Sequence, residues 1–357
     1  MKKIKILELF GGIGACTKAL NNLGIDYEIA DYVEIDKYAV ASFNAIHNTD
    51  FLPQDICKWN KDIEVDLIMH GSPCQDFSLA GKQAGGDENS GTRSSLMYET
   101  LRIDEKLKPK YVIWENVKNV ISKKHLHNFN TYINRLSDLG YKNYYQVLNA
   151  KDYGIPQNRE RVFTISILGD ETFTFPEKQK LNIKLKDLLE DKVEEKYYLS
   201  DKMINYCLGI NQKKSKFPRK QRFLQSLKMT NEKGIATTIS TNAGNRPVDN
   251  FILKPRVIGG IGEKKSNGGT QWYQQDRIYN NNIGLSLSTT ANPYYPDNYM
   301  RIRKLTPKEC WRLMGFDDED FEKASKVCSN SQLYKQAGNS IVVNVLEAIL
   351  KELLIEK

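Results

Sequence analysis

The stretch IKILELFGGIG at residues 4–14 decides the fold class, because an apolar run ends there in closely spaced glycines. Ile4 to Phe10 predicts a buried strand, and Gly14 to Leu23 predicts a helix. Glycines between a strand and a helix allow a tight turn and the close approach of a ligand to the backbone. On these residues alone, a purely structural turn is an equally good interpretation. The GxGxxG fingerprint would need a glycine at position 17, where the chain has Thr17, so NAD is disfavoured as the ligand.

Strand-like and helix-like segments alternate up to residue 169. This alternation predicts an α/β fold with a doubly wound, mostly parallel, Rossmann-like sheet. Ligands of such sheets bind at the carboxyl ends of the strands. Further strands are predicted at Ile29 to Glu34, Val65 to Met69, Tyr111 to Trp114, Tyr144 to Leu148 and Val162 to Leu168, with a helix from Lys37 to Ile46.

The chain changes character after residue 169. Residues 170–300 are rich in Lys, Asn, Gly and Thr and contain only short β-prone stretches, which predicts a second, smaller, irregular β-rich domain. Helical signals return at Thr306-Pro307-Lys308-Glu309, a capping box with proline at the first helical position. A final amphipathic helix at Ile341 to Ile355 needs an apolar partner, and the first domain is the natural one. We therefore expect one domain at 1–169 plus 325–357 and another at 170–324.

The positive charge is concentrated in one segment. The formal net charge is +8, and residues 211–265 contain thirteen Lys or Arg against three acidic residues. A local basic segment suits a polyanion such as nucleic acid, although a solvated loop with no partner fits the charge equally well. The candidate phosphate contacts are Lys213, Lys214, Arg219 and Arg222.

Composition excludes several classes of protein. The cysteines make no CxxC pair or zinc spacing, so we expect free thiols in a reducing cytoplasm and no metal site. No apolar run approaches the length of a membrane span, and Glu8 interrupts the apolar stretch after the basic N-terminus too early for a signal peptide. The six cysteines are Cys16, Cys57, Cys74, Cys207, Cys310 and Cys328.

Polar residues with chemical potential fall at the predicted strand ends. Glu34 could accept hydrogen bonds from ribose hydroxyls, and Asp55 could accept one from an adenine amino group. Cys74 follows Pro73 just after a strand, where a cysteine is presented as a nucleophile. Each of these residues alone is more often structural.

A carboxyl and two arginines complete this set of candidates. Glu115 ends an apolar strand, and desolvation there would favour its protonated form, which can donate to a ring nitrogen. Arg159 and Arg161 lie two residues apart, so in a strand they share one face and suit an anionic substrate. A surface ion pair is the alternative explanation of these arginines.

Taken in order, these stretches resemble the motifs of the DNA cytosine-5 methyltransferases of bacteria and phages. The resemblance covers nearly the whole chain and leaves a variable gap at about 170–285. Lys308 is a small departure, because arginine is common there in the family. The matching stretches are Phe10-Gly11-Gly12, Glu34, Asp55-Ile56, Pro73-Cys74-Gln75, Arg93-Ser94-Ser95-Leu96, Glu115-Asn116-Val117, Gln157-x-Arg159-x-Arg161, Arg303 to Glu309 and Gln336-Ala337-Gly338-Asn339-Ser340.

The resemblance implies S-adenosylmethionine as cofactor and double-stranded DNA as substrate. It implies that Cys74 adds to C6 of a flipped-out cytosine while Glu115 donates to N3, with Arg159 and Arg161 beside them. The loop at 75–98 would close over the base. Gln75, Ser78 and Arg93 would contact DNA. The cofactor would be held by Phe10, Gly12, Ile13, Glu34, Asp55, Ile56, Pro73, Leu96, Asn339 and Ser340.

Target recognition is expected in the variable region, where Gly234 to Thr241 resembles Asn282 to Thr289. In the family, a threonine followed by an aliphatic residue lies in the recognition domain, and Ser286-Leu287 fits that position best. Thr238-Ile239 is the competitor, and two similar β-turns with no reading role are the third interpretation. We expect a cytoplasmic monomer, with a restriction endonuclease as a separate candidate partner.

Three other functions fit parts of the sequence. A related tRNA cytosine-5 methyltransferase would have a shorter recognition region with a Cys-Phe-Thr signature, which the chain lacks. A catalytically silent DNA-binding homologue is disfavoured by intact Cys74, Glu115 and Arg161. An NAD oxidoreductase is disfavoured by Thr17 and by the absence of a substrate motif.

Overall fold

The computed structural model describes residues 3–73, 93–198, 200, 229–231, 234–239, 241, 251–255 and 300–356. Two compact units emerge from the contacts within the chain. Unit 1 comprises Met1–Ile183, Thr237–Asn242 and Pro307–Lys357, and unit 2 comprises Lys184–Ala236 and Ala243–Thr306. Unit 1 thus includes residues 170–183, 237–242 and 307–324, which the sequence analysis assigned to the second domain.

Unit 1 contains a six-stranded sheet with the order β2-β1-β3-β4-β7-β5. Strands β1 to β4 run parallel, whereas β7 is antiparallel to both of its neighbours. The predicted mostly parallel sheet is therefore present, with one reversed strand. The strands of this unit are β1 (Ile4–Leu9), β2 (Tyr27–Val33), β3 (Leu67–His70), β4 (Tyr111–Val117), β5 (Tyr141–Asn149), the short β6 (Gln157–Asn158) and β7 (Glu160–Leu168).

Helices cover the sheet, and four of them lie where the sequence analysis located no helix, namely Met97–Leu107, Leu126–Asp138, Asp318–Ser325 and Asn330–Asn339. The third helix buries Thr100 and Asp104 beside Leu101, so its buried face is not a purely apolar stripe. Within the described part of the chain, no helix combines the length and apolar character needed to cross a membrane. The helices are α1 (Ala15–Asn22), α2 (Lys37–His47), α3 (Met97–Leu107), α4 (Leu126–Asp138), α5 (Pro307–Arg312), α6 (Asp318–Ser325), α7 (Asn330–Asn339) and α8 (Val343–Leu354).

Two apolar clusters of unit 1 lie side by side on one face of the sheet, because Ile68 in one cluster pairs in register with Val112 in the other. Trp114 of β4 packs with Phe129 and Tyr132 of α4. A second cluster joins Leu7 of β1 to Ile68 of β3. The C-terminal helix α8 packs against α1, which confirms that the final amphipathic helix finds its partner in the first part of the chain.

Unit 2 is described in short pieces. Strand β10 (Phe251–Pro255) pairs in parallel with β8 (Met229–Asn231) and antiparallel with β11 (Met300–Lys304), and β9 is Ala236–Thr237. Helix α5 begins at Pro307 as predicted, and the preceding Thr306 hydroxyl donates to Glu190. The predicted DNA contacts Lys213, Lys214, Arg219, Arg222, Ser286 and Leu287 lie outside the described residues.

A buried carboxyl lies beneath the glycine-rich turn. Glu8 is 2% exposed and accepts hydrogen bonds from the backbone N–H of Thr17, at 2.9 Å, and from the Thr17 hydroxyl. Desolvation raises the pKa of Glu8 to about 7, and the Thr17 hydrogen bonds oppose that rise. The stability of this turn therefore depends on pH near neutrality.

We predict that Glu8→Gln reduces the pH dependence of the free energy of unfolding. The folded-state pKa of Glu8, about 7, exceeds the unfolded value, so its stabilisation is present below about pH 4 and is lost as pH rises through 7. Wild type should lose roughly 2 kcal/mol between pH 5.5 and 8 that Glu8→Gln keeps. Denaturant titrations at several pH values measure this, with exposed Glu28→Gln as control. An equal loss of stability in wild type and in Glu8→Gln would contradict a raised pKa of Glu8.

Candidate active site

The glycine-rich turn is held against the end of β2. Phe10, Gly12 and Gly14 have φ values of 52°, 56° and 79°, in the left-handed region of the backbone. Glycine adopts this region without strain, whereas a phenylalanine such as Phe10 does not. A Cβ on Gly11 would lie 2.6 Å from the Tyr32 ring, so only glycine fits there. The Tyr32 hydroxyl donates to the Gly12 carbonyl at 2.6 Å. These contacts place Gly12 beside Glu34, the residue that follows β2.

Glu34 connects this turn to the next strand end. Its carboxylate accepts from the backbone N–H of Gly12 at 3.2 Å and of Asp36 at 2.8 Å. Burial raises the pKa of Glu34, and those two backbone N–H groups oppose the rise. Each carboxylate oxygen has a second lone pair, so Glu34 can still accept from a ligand. The Gln54 N–H donates to the Glu34 carbonyl at 2.8 Å, which brings the Asp55-Ile56 segment alongside.

The predicted cofactor residues divide into a polar and an apolar group. Phe10, Ile56 and Leu96 belong to the same apolar cluster next to β1 and β3. Asp55 accepts from the Cys57 N–H at 3.0 Å. The sequence analysis named neither Ile35, which follows Glu34 and is 69% exposed, nor Leu52, which is 77% exposed.

The segment leading to the predicted nucleophile is anchored from β4. Trp114 Nε1 donates to Ser72 Oγ at 3.0 Å, and Asn116 Nδ2 donates to the Ser72 carbonyl at 3.2 Å. Pro73 is the last residue described before a gap. Cys74, Gln75 and Ser78 lie outside the described residues. For Arg93, the structure gives only its backbone, which begins a short 3-10 turn at Arg93–Leu96.

Glu115 and Arg161 form an ion pair across neighbouring strands. Arg161 Nε lies 3.0 Å from Glu115 Oε1, and both side chains are largely buried. Burial raises the pKa of Glu115, and the guanidinium groups of Arg161 and Arg159 oppose that rise. A Cβ on Gly71 would lie 3.8 Å from Glu115 Oε2, so the exit of β3 is adjacent. A small pocket is lined by Glu115, Leu148, Ala150, Arg159, Arg161, Phe163, Val342 and Val345.

The ordered motifs and the site geometry agree with one known family. The sequence pattern of the C-5 cytosine-specific DNA methylases matches residues 4–354. This chain belongs to that family. It is 35% identical to the type II methyltransferase M2.ScrFI of Lactococcus lactis subsp. cremoris, covering 98% of this chain and 99% of that protein.

Two further comparisons agree with this assignment. The orphan methyltransferase M.SPRI of Bacillus phage SPR is 35% identical, covering 99% of this chain and 98% of that protein. The solved structure of the Entamoeba histolytica methyltransferase EhMeth superposes with a TM-score of 0.68 at 16% identity, covering 100% of this chain and 99% of that chain. That likeness concerns the fold.

The end of the methylase chain returns to the start of its site. Helix α7 packs next to α2, where Gln336 donates to the Tyr38 carbonyl at 3.0 Å and Lys335 pairs with Asp36 at 2.6 Å. Asn339 ends α7 and is exposed, whereas Ser340 is buried. The predicted tenth motif therefore lies near the same β2–α2 junction that carries Glu34.

The arginine between β6 and β7 is enclosed by backbone. Arg159 is 4% exposed, and its guanidinium donates to the carbonyls of Ile239 at 3.1 Å, Gly338 at 3.2 Å and Ser340 at 2.8 Å. The resemblance implies that Arg159 also contacts a nearby phosphate or the catalytic loop at 75–98, and this stays a prediction. Among the described residues, no group of three or more His, Cys, Asp or Glu side chains is arranged to hold a metal.

Proposed function

We propose that this methylase transfers a methyl group from S-adenosylmethionine to C5 of a flipped-out cytosine in double-stranded DNA. The observation that carries the proposal is the buried Glu115 carboxyl, paired with Arg161 at 3.0 Å beside the strand exit that leads to Pro73-Cys74. A carboxyl with a raised pKa at this place can donate a proton to a ring nitrogen.

The residues around the glycine-rich turn fit S-adenosylmethionine. Glu34 has acceptor capacity for the ribose hydroxyls, and Asp55 supplies an acceptor for the adenine amino group. Exposed Ile35 offers an apolar surface for a flat ring beside them. Phe10, Gly12, Ile13, Ile56, Pro73, Leu96, Asn339 and Ser340 would complete the contacts. When bound, this cofactor supplies an electrophilic methyl group.

The reaction follows from the chain's own side chains. Cys74 Sγ forms a bond to C6 while Glu115 donates its proton to N3, which gives C5 the electron density of an enamine. After C5 has been methylated, the C5 proton passes to water, the Cys74–C6 bond breaks, and the proton on N3 returns to Glu115, which releases 5-methylcytosine. Arg161 holds Glu115 and the base oxygen. The base must leave the helix stack, which costs a few kcal/mol.

We infer that the variable region selects the DNA sequence. Residues 170–324 form the recognition domain in this proposal, with Ser286-Leu287 reading bases and Gln75, Ser78 and Arg93 contacting DNA near the target. Lys213, Lys214, Arg219 and Arg222 contact phosphates. We propose that the protein acts as a monomer. The relatives include a type II methyltransferase and an orphan methyltransferase. They support a methyltransferase that acts either alongside a separate restriction endonuclease or without one.

Two alternatives to this function are a methyltransferase that acts on tRNA and a DNA-binding homologue without catalytic activity. The match to the C-5 cytosine-specific DNA methylases favours duplex DNA. A methylation assay that compares duplex DNA with tRNA distinguishes the DNA methyltransferase from the tRNA methyltransferase. Bisulfite sequencing of DNA from cells expressing the chain gives the recognition sequence and detects a silent homologue.

The first functional prediction concerns the nucleophile. A duplex with 5-fluorocytosine at the target should trap the enzyme covalently, because fluorine at C5 cannot leave as a proton. Cys74→Ala should abolish trapping and methylation, while binding of S-adenosylhomocysteine stays near the wild-type level. A denaturing gel and calorimetry measure the two. Methylation by Cys74→Ala would show that another group attacks C6.

A second prediction concerns the buried carboxyl. Glu115→Gln keeps the shape of the side chain but cannot cycle a proton, so we expect a rate loss of roughly 10²-fold or more. Glu160→Gln is the matched control, because Glu160 is an exposed neighbour that pairs with Lys118. Single-turnover rates measure the effect. Equal rates in both variants would make Glu115 merely structural.

The third prediction concerns sequence choice. Replacing residues 205–300 with the matching segment of a family member of different specificity should transfer the new specificity. Removing the charges between Lys213 and Arg222 should weaken binding to all sequences and flatten its salt dependence. Methylation-site sequencing and salt titrations measure these effects. An active chimaera that kept the original target would move the reading role elsewhere.

A further inference from the structure

A buried carboxylate in β2 has no part in methyl transfer as proposed. Asp31 is 2% exposed and accepts hydrogen bonds from Trp59 Nε1 at 2.6 Å and from Gln54 Nε2 at 3.0 Å. Lys61 Nζ lies 2.7 Å from one of its oxygens. Burial alone would raise the pKa of Asp31, but the hydrogen bonds from Lys61, Trp59 and Gln54 outweigh it and lower the pKa. The carboxyl is therefore ionised at neutral pH and is the common acceptor of three side chains.

A bulge in β2 determines on which face of the sheet this carboxylate lies. The pairing of β2 with β1 skips Ala30, because consecutive residues of β1 face residues 29 and 31. Ala30 and Val33 are three residues apart, yet both pack in the apolar cluster next to β1 and β3, whereas a regular strand would place them on opposite faces. Asp31 thus shares the face of Val33, where Trp59 also packs. Bulges commonly re-aim a side chain next to a functional site in this way.

The residues that Asp31 holds belong to the connection between α2 and β3. Residues 48–66, all of which the structure describes, contain no helix or strand. The backbone of this connection turns at Asp55, whose carbonyl accepts from the Trp59 N–H at 3.1 Å. Gln54 and Trp59 therefore lie at the two ends of the turn that carries Asp55, and one buried carboxylate binds both. A segment without regular structure depends on such side-chain hydrogen bonds for a fixed conformation.

We propose that Asp31 is a positioning residue that fixes the Asp55 carboxylate opposite the adenine amino group and so makes the cofactor site selective for adenine. The inference rests on the proposed function, because it takes Asp55 as the acceptor for that amino group. Asp31 itself contacts neither the cofactor nor DNA and acts through Gln54 and Trp59. A hydrogen bond weakens steeply with distance and angle, so a small shift of the turn reduces the contribution of Asp55.

The selectivity is measured by calorimetry as the ratio of the dissociation constants of S-inosylhomocysteine and S-adenosylhomocysteine. The inosine compound has a carbonyl oxygen in place of the amino group, and a carboxylate acceptor repels it. We expect wild type to prefer the adenine compound by about tenfold or more, the scale of one hydrogen bond to a charged group.

Asp31→Asn keeps the shape of the side chain but turns one acceptor oxygen into a donor, so Gln54 or Trp59 loses its partner. The ratio should then fall to about twofold or less, because the adenine compound binds more weakly while the affinity for the inosine compound changes little. Asp62→Asn is the matched control, because Asp62 is an exposed carboxylate of the same connection, and it should keep the wild-type ratio.

Two further variants test whether Asp31 acts through Asp55. Asp55→Ala should abolish the selectivity, and Asp31→Asn added to it should change the ratio no further. Trp59→Phe keeps the test decisive if Asp31→Asn does not fold, because it removes the Nε1 donor, leaves a ring in the buried position and should also reduce the ratio.

Three results would overturn the proposal. They are a wild-type ratio near one, an equal loss of affinity for both compounds in Asp31→Asn or Trp59→Phe, and a further fall of the ratio when Asp31→Asn is added to Asp55→Ala. Failure of the proposed function is distinguished by a wild-type protein that shows the adenine selectivity but never methylates DNA.

Discussion

The ion pair between Glu115 and Arg161 is the interaction on which the active site depends. Burying either charge alone would cost several kcal/mol, and breaking a buried pair is strongly destabilising. Desolvation raises the pKa of Glu115, and the nearby guanidinium groups oppose it, so the carboxyl lies between two competing influences. This competition is what a group that donates and recovers a proton requires. It exists only because β7 runs next to β4.

The reversal of β7 is what brings Arg161 to Glu115, and it was the least predictable feature of the sheet. Apolar runs located its strands, because burial on both faces imposes a nearly continuous apolar sequence. The direction of β7 depends on the short connection from β5, which is too short for a crossover between parallel strands. Asn149 holds this connection, accepting from the Arg159 N–H at 3.1 Å and donating to Asn158 at 2.7 Å. The spacing of apolar residues in the sequence does not indicate hydrogen bonds of this kind.

The candidate site could be predicted where chemistry and position coincide. Glu34 directly follows β2 and Glu115 lies in the last half of β4, two residues before its end, so their approximate placement was readable from the sequence. The structure places Glu34 against Gly12 and Glu115 against Arg161. The supports of the site were not readable. In the sequence Ser72 looks like an ordinary loop residue and Trp114 like an ordinary strand residue, and only the three-dimensional contact between them shows that one anchors the other. The exposure of Ile35 was not readable either, because exposure, unlike residue type, is a property of the fold.

A buried polar layer behind the site explains why these supports are so specific. His70 of β3 shares a 2.8 Å hydrogen bond with the hydroxyl of Tyr132, and burial lowers the pKa of His70 to about 3, which keeps it neutral. Asp104 lies beside Tyr132, and burial raises the pKa of its carboxyl. An apolar core of the same volume would cost less, because each buried polar group must give up water. Directional hydrogen bonds, unlike apolar contacts, permit a single register between α3, α4 and β3. That register brings Ser72 to its contacts with Trp114 and Asn116, the two neighbours of Glu115 in β4.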